Sequence, residues 1–133
     1  MIIQKTLKIN THKNFEIIDI TSQINDLIDI ENGIVSVFSK HSTSAVVVNE
    51  NEEGLLNDLE FILNSLIPEK FSYEHDRIDN NARSHLKSFL LSSSESLPIK
   101  DSKLDLGTWQ SVFFIELDGP RSARTITLTI MGE

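Results

Sequence analysis

The chain contains no cysteine. Disulfide frameworks, thiolate metal sites and a cysteine nucleophile are therefore excluded. Basic residues are scarce: 12 Lys and Arg stand against 20 Asp and Glu, a net charge of −8. That field repels nucleic acid and anionic lipid, and no basic run offsets it, so neither is expected as a partner. A phosphate-bearing ligand would need donors placed locally. Long apolar runs are missing too. None approaches the roughly 20 residues that span a bilayer. The segment Met1–Lys5 has no long apolar run after its charge, so no signal peptide is read there, and a cytoplasmic location is expected. Walker, GxGxxG and GxSxG loops are absent, which removes the commonest nucleotide-binding and serine-hydrolase readings.

What remains describes one domain over residues 1–133, with 39% hydrophobic residues, enough for a core. Residues Ile3, Lys5, Leu7 and Ile9 alternate onto one strand face. A second β-like run covers Phe15–Ile20, and Asn10–Asn14 between them reads as a hairpin turn. Thr21 or Ser22 is placed to cap a short helix through Ile24, Leu27 and Ile28. Ile34–Phe38 and Ala45–Val48 are β-branched strands, the latter apolar on both faces. Glu52–Leu66 carries a helical stripe of Leu55, Leu56, Leu59, Ile62, Leu63 and Leu66. A second helix, Asn80–Leu91, is expected to turn Ala82, Leu86, Phe89 and Leu90 inward. Ser92–Ser96 reads as a loop, and Leu97–Ile99 and Leu104–Leu106 as short edge strands. Trp109–Leu117 reads as a central strand, and Arg124–Ile130 alternates with Ile126, Leu128 and Ile130 inward. The sum is an α+β domain: a largely antiparallel or mixed sheet of about seven or eight strands, with two main helices on one side.

Chemistry-bearing residues fall where loops or element edges are expected. His41, followed by Ser42 and Thr43, lies between two strands. His75 precedes Asp76 in a polar loop, where a carboxylate could orient the ring. His85 shares a helix edge with Asn81 and Ser88, beside the apolar stripe. Each could equally be a histidine satisfied by a neighbour. Three imidazoles can hold a Zn²⁺-like ion, but this spacing is not that of a one-helix metal motif. Asn49 and Glu50 end the valine-rich strand, where they could line a cleft; Asn49 or Asn51 could instead cap the long helix. Asp58 at the stripe edge could be partly buried and paired. Gly107 permits an unusual backbone angle before the lone Trp109 and Gln110. Arg121, after Asp118-Gly119-Pro120, could anchor phosphate or carboxylate, or pair with Asp118. His12 sits at the tip of a polar turn and receives no role.

Taken together, His41-Ser42-Thr43-Ser44-Ala45, Asn49-Glu50-Asn51, Asp58-Leu59-Glu60, His75-Asp76, Asn81 to Lys87, Leu106 to Gln110, Asp118 to Arg121 and Gly132-Glu133 resemble the YjbQ-like family of secondary thiamine-phosphate synthases. The resemblance covers nearly the whole chain in order. It implies a homotrimer with a cleft lined by these motifs. It also implies a weak joining of hydroxymethylpyrimidine diphosphate to thiazole phosphate, with release of pyrophosphate. On that basis His41, His75, His85, Asn49 and Asn81 are expected to be catalytic. Ser42, Thr43, Glu50, Asp76, Trp109, Gln110 and Arg121 are expected to bind a phosphorylated substrate. A divalent metal, Zn²⁺ or Mg²⁺, is expected at His41, His75 and His85. Many members carry a further histidine where this chain has Arg83. A non-catalytic trimer that holds a phosphorylated metabolite or a protein partner is the alternative, with Phe61 and the Trp109 strand suited to subunit contacts.

Overall fold

A computed structural model describes residues 1–133. Eight strands form two antiparallel sheets. The larger has the order β1 (Ile2–Ile9), β8 (Arg124–Gly132), β3 (Gly33–Ser39), β5 (Ser94–Lys100) and β6 (Lys103–Leu104). The smaller has β7 (Gln110–Glu116) between β2 (Glu16–Asp19) and β4 (Ser44–Glu50). The three α-helices are α1 (Thr21–Leu27), α2 (Glu53–Leu66) and α3 (Ala82–Leu91), and one 3-10 turn covers Glu74–Arg77.

The sheets stack face to face, and the period-2 pattern of each strand decides what lies between them. Val35 and Val37 of β3, Ile126, Leu128 and Ile130 of β8, and Leu97 and Ile99 of β5 meet Val46 of β4 with Val112 and Phe114 of β7. Ile24 of α1 joins this core. The alternate residues Ala45, Phe113 and Ile115 point the other way, where Leu56 and Leu59 of α2 and Leu91 of α3 cover them. The molecule is thus a three-layer stack, with α2 and α3 on the outer face of the small sheet. This explains why β4 and β7 read as apolar on both faces.

Several local expectations change. Residues 10–14 are not a hairpin, because β1 pairs with β8 and β2 pairs with β7. The segment crosses between sheets, and the buried Thr11 hydroxyl donates to Glu116 Oε1 at 2.7 Å. Alternation identifies two strands without saying that they are partners. The serine cluster is strand from Ser94 onward, with Ser94 opposite Phe38 and Ser96 opposite Ser36. Helix α1 has no side-chain cap; the Thr21 hydroxyl donates to Asp19 and accepts from the Val112 N–H instead. At the start of α2 the cap is Glu52, which accepts from the N–H groups of Gly54 and Leu55. Asn51 donates to Asp19 at 3.0 Å. Asp58 is exposed and has no ion-pair partner.

The larger surprise is α3. Leu86, Phe89 and Leu90 are exposed, Phe89 by 85%. The inward residues are Ala82 and the polar Ser84 and Lys87. They face inward because strand ends present carbonyls that need donors. Ser84 Oγ donates to Leu117 O at 2.6 Å, and Ser88 Oγ donates to Ser44 O at 2.6 Å. On α2 only Leu63 of the leucine stripe is fully buried. No helix is long and apolar enough to cross a membrane.

Candidate functional site

One end of the stack gathers the histidines. The link Lys40–Thr43 joins β3 to β4 and is held tightly. Ser44 Oγ donates to His41 O at 2.9 Å, which leaves Ser39 Oγ as the donor to Ser44 Oγ. His41 Nε2 accepts the Thr125 N–H of β8 at 2.8 Å. Burial, then the nearby Arg124 guanidinium, hold the His41 imidazole below its ordinary pKa, with Glu116 opposing.

Beneath this link lies a buried ion pair. Glu116 at the end of β7 meets Arg124 at the start of β8 through the Nε–Nη2 edge of its guanidinium, with Nε to Oε1 at 2.8 Å and Nη2 to Oε2 shorter. Such bidentate pairs are strong only when every other lone pair and proton is satisfied. Much of that is met here: Thr11 Oγ1 and the Asp118 N–H donate to Glu116, and Arg124 Nη2 donates to Thr43 Oγ1 at 3.0 Å, while Arg124 also lines the polar hollow. Burial alone would raise the Glu116 carboxyl, but the bonds from Arg124, Thr11 and Asp118, with the Arg124 charge, together hold it below its ordinary value. The pair ties four chain segments together under the site.

The 3-10 turn and the start of α3 bring in the other histidines. Asp76 Oδ1 accepts the Ala82 N–H at 3.0 Å, so this carboxylate caps α3 and does not orient His75. His75 Nε2 meets Asn81 Oδ1 at 3.0 Å. Asn81 Nδ2 donates to Asp118 Oδ2 at 3.0 Å. The amide oxygen is therefore the acceptor from His75, and His75 carries its proton on Nε2. Asp118 also pairs with Arg121 Nη2 at 3.1 Å. The His75 and His85 rings lie edge to face, 4.8 Å between centroids.

Three adjoining hollows open here, and His85 lines all of them. The first, about 340 Å³, is wholly polar and includes Lys40, His41, Asp118, Arg121 and Arg124. The second, about 370 Å³, adds Ser88, Ser92 and Ser93 to His41 and Ser42. The third, about 470 Å³, is aromatic, with Phe71, Tyr73, His75 and Phe89.

Not all the expected residues come together. His41, Ser42, Thr43, Asn81, His85 and Arg121 line the polar hollow, and His75 lines the aromatic one. Asn49, Glu50, Trp109 and Gln110 lie elsewhere. The β4–β7 register runs from Ser44 opposite Glu116 to Glu50 opposite Gln110. At about 3.4 Å per residue that places them roughly 20 Å away in the same chain. There Trp109 is 73% exposed, and Gln110 Oε1 accepts the Gly107 N–H at 2.9 Å. Gly107 uses no left-handed angle; among glycines Gly132 does, with φ 146°. Arg83 lines none of the three hollows and ties α3 to α2 through Ile67 O and Asn64 Oδ1. Lys40, Asp79, Ser92 and Ser93 had no distinguishing pattern. Glu116 did: one acid inside a run apolar on both faces must have a partner.

A metal does not fit this arrangement. No three His, Asp or Glu side chains are grouped to hold an ion. The Nε2 atoms of His41 and His75 are already engaged.

Comparison with known proteins agrees with the fold. The model of the family "UPF0047 protein YjbQ-like" matches residues 5–133. A UPF0047 protein of Methanothermobacter thermautotrophicus is 48% identical over 130 residues, covering 96% of this chain and 90% of its own. YugU of Bacillus subtilis is 32% identical, covering 96% and 98% respectively. The crystal structure of a YbjQ-like protein of unknown function from Sulfolobus solfataricus superposes with a TM-score of 0.95 at 39% identity, over 100% of this chain and 99% of that one. Match to the family model and to these relatives, in sequence and in fold, makes this chain a member of the YjbQ-like UPF0047 family.

Proposed function

We propose that the protein is a cytoplasmic transferase of the thiamine-phosphate synthase kind. It joins hydroxymethylpyrimidine diphosphate to thiazole phosphate and releases pyrophosphate. The observation that carries this reading is the pairing of hollows: a polar one with Lys40 and Arg121 beside an aromatic one with Phe71, Tyr73 and Phe89, with His85 common to both. A diphosphate suits the first and a flat heterocycle suits the second. In the reaction the methylene C–O bond breaks, and its electron pair leaves with the diphosphate. The thiazole nitrogen lone pair forms the new C–N bond. No proton need move in that step. The demand on the protein is to stabilise the charge growing on the leaving oxygen. Arg121 and Lys40 supply positive charge, and the aromatic walls exclude water from the cation being formed. Arg121 is held by Asp118 in the free protein, and phosphate oxygens would compete for it.

The homotrimer belongs to the same proposal. A compact 15.0 kDa monomer exposes about 7,000 Å². This chain exposes 7939 Å². The excess is about half of the two shares, about 800 Å² each, that a protomer of a closed trimer contributes to its two interfaces. Phe61, Leu66, Phe89 and Leu90 make the outer faces of α2 and α3 apolar, which supports covering by further copies. Sedimentation should then give three times the 15.0 kDa chain mass.

The test is a coupled assay with both precursors. Thiamine phosphate should form and should fall at least tenfold in Arg121→Ala. No product, with retained pyrophosphate binding, would leave the non-catalytic trimeric binding module as the better reading.

A further inference from the structure

We propose that His41 is a neutral hydrogen-bond donor to a ligand oxyanion through Nδ1–H, and that it is neither a proton acceptor nor a metal ligand. This rests on the reading of the polar hollow as an anion site.

The geometry leaves one tautomer. A main-chain N–H can only donate, and the Thr125 N–H points at His41 Nε2 across 2.8 Å. Nε2 must therefore present its lone pair. A neutral imidazole has a single N–H, so the proton is on Nδ1. Nδ1 meets no acceptor in the protein, yet no buried side-chain nitrogen or oxygen lacks a partner. Nδ1 is thus open to solvent, on a residue that lines the polar and the serine hollows. The charged groups lining the polar hollow are the cations Lys40, Arg121 and Arg124 and the carboxylates Asp79 and Asp118.

The other two roles fail on the same contact. Accepting a proton would put N–H on Nε2, donor against donor with Thr125. The charges facing the ring are Arg124, Arg121 and Glu116, and burial with the two arginines resists a further positive charge. Ligating a metal needs a bare nitrogen facing the hollow, and the bare one faces β8. A fixed neutral donor suits a leaving diphosphate: it takes up negative charge at the oxygen without competing for a proton. Since Thr125 N–H is a main-chain group of β8, the tautomer is set by the fold itself and does not depend on a side-chain partner.

The test uses the full-length protein with ¹⁵N-labelled histidine. Long-range ¹H–¹⁵N spectra over about pH 6 to 8.5 should show His41, assigned by its loss in His41→Asn, with Nδ1 protonated and Nε2 bare throughout. Inorganic pyrophosphate should shift Nδ1 and its proton. Calorimetry should give pyrophosphate binding about fivefold weaker in His41→Ala, the effect of one lost hydrogen bond. In His41→Asn, whose amide nitrogen stands near the place of Nδ1, most of it should return. A proton on Nε2, double protonation near the ordinary histidine pKa, no response to pyrophosphate, or a zinc-induced shift of a His41 nitrogen would each overturn the proposal. Absence of turnover with both precursors, alongside the expected spectra, would defeat only the transferase reading.

Discussion

Removing the Arg124 side chain's charge while keeping its volume is the sharpest probe of the site's foundation. In Arg124→Met the Glu116 carboxylate stays fully buried but keeps only Thr11 and the Asp118 N–H. Two charged hydrogen bonds and the counter-ion are gone. Breaking one side of such a pair costs about 3–5 kcal/mol, because the remaining charge is uncompensated. That is a large part of a typical stability of about 5–15 kcal/mol. The sign with pH follows from the carboxyl. In the parent its folded pKa lies below the ordinary value, so its contribution is full above the unfolded pKa and is lost as pH falls through the folded one. In the variant burial is no longer outweighed and the folded pKa rises above the unfolded one. Acidification toward about pH 5 then relieves the variant while the parent's contribution stays full, and the gap between them narrows. Urea unfolding at fixed protein concentration, from pH 7.5 down to about pH 5, measures both. A gap under about 1 kcal/mol, or one that widens on acidification, would refute the reasoning. Glu116→Gln combined with Arg124→Met should recover part of the loss.

Three further outcomes follow from contacts and exposures elsewhere in the molecule. Lys87 is buried with the neutral Asn64 Oδ1 as its hydrogen-bond partner at 2.9 Å and the Phe15 ring centroid at 5.6 Å, and burial, then Arg83, lower its pKa, with Glu60 opposing. Lys87→Met should therefore be neutral or stabilising by about 1 kcal/mol at pH 7. It should also abolish the gain in stability otherwise seen as pH rises from the lowered folded value toward 10.5; a loss above about 2 kcal/mol would contradict this. Thr11→Val removes a buried hydroxyl that donates to Glu116 and accepts the Arg121 N–H at 2.8 Å, and should cost about 1–3 kcal/mol in urea unfolding. Phe89→Ser with Leu90→Ser should shift sedimentation toward the monomer while circular dichroism stays native, because both side chains are exposed in the single chain.

The strands were legible because their signal is intrinsic. Period-2 alternation in Ile3–Ile9 and Arg124–Ile130 survives whatever the strands pair with, and the doubly apolar β4 and β7 had to be covered on both sides. Pairing is not intrinsic, which is why Asn10–Asn14 looked like a turn. The face of α3 was misread for a different reason. Apolar residues need not face inward when the outer surface is broad and apolar, and Ser84 and Ser88 were needed where the ends of β7 and β4 expose carbonyls. The site divides in the same way. Of the motif residues, His41, His85, Asn81 and Arg121 meet at one hollow and His75 lines the adjoining one, yet the same logic selected Trp109 and Gln110 at the opposite end of the sheet. Residue chemistry marks candidates, and only the register sorts them by place.

One imidazole forms part of both the polar and the aromatic walls, so under the proposed function the two ligands would meet the same side chain. Whatever pose His85 takes for an anion is the pose the heterocycle meets, and by reciprocity the heterocycle changes anion affinity by the same factor. On the proposed transferase reading, thermodynamic cooperativity between the substrates would follow from the wall they share.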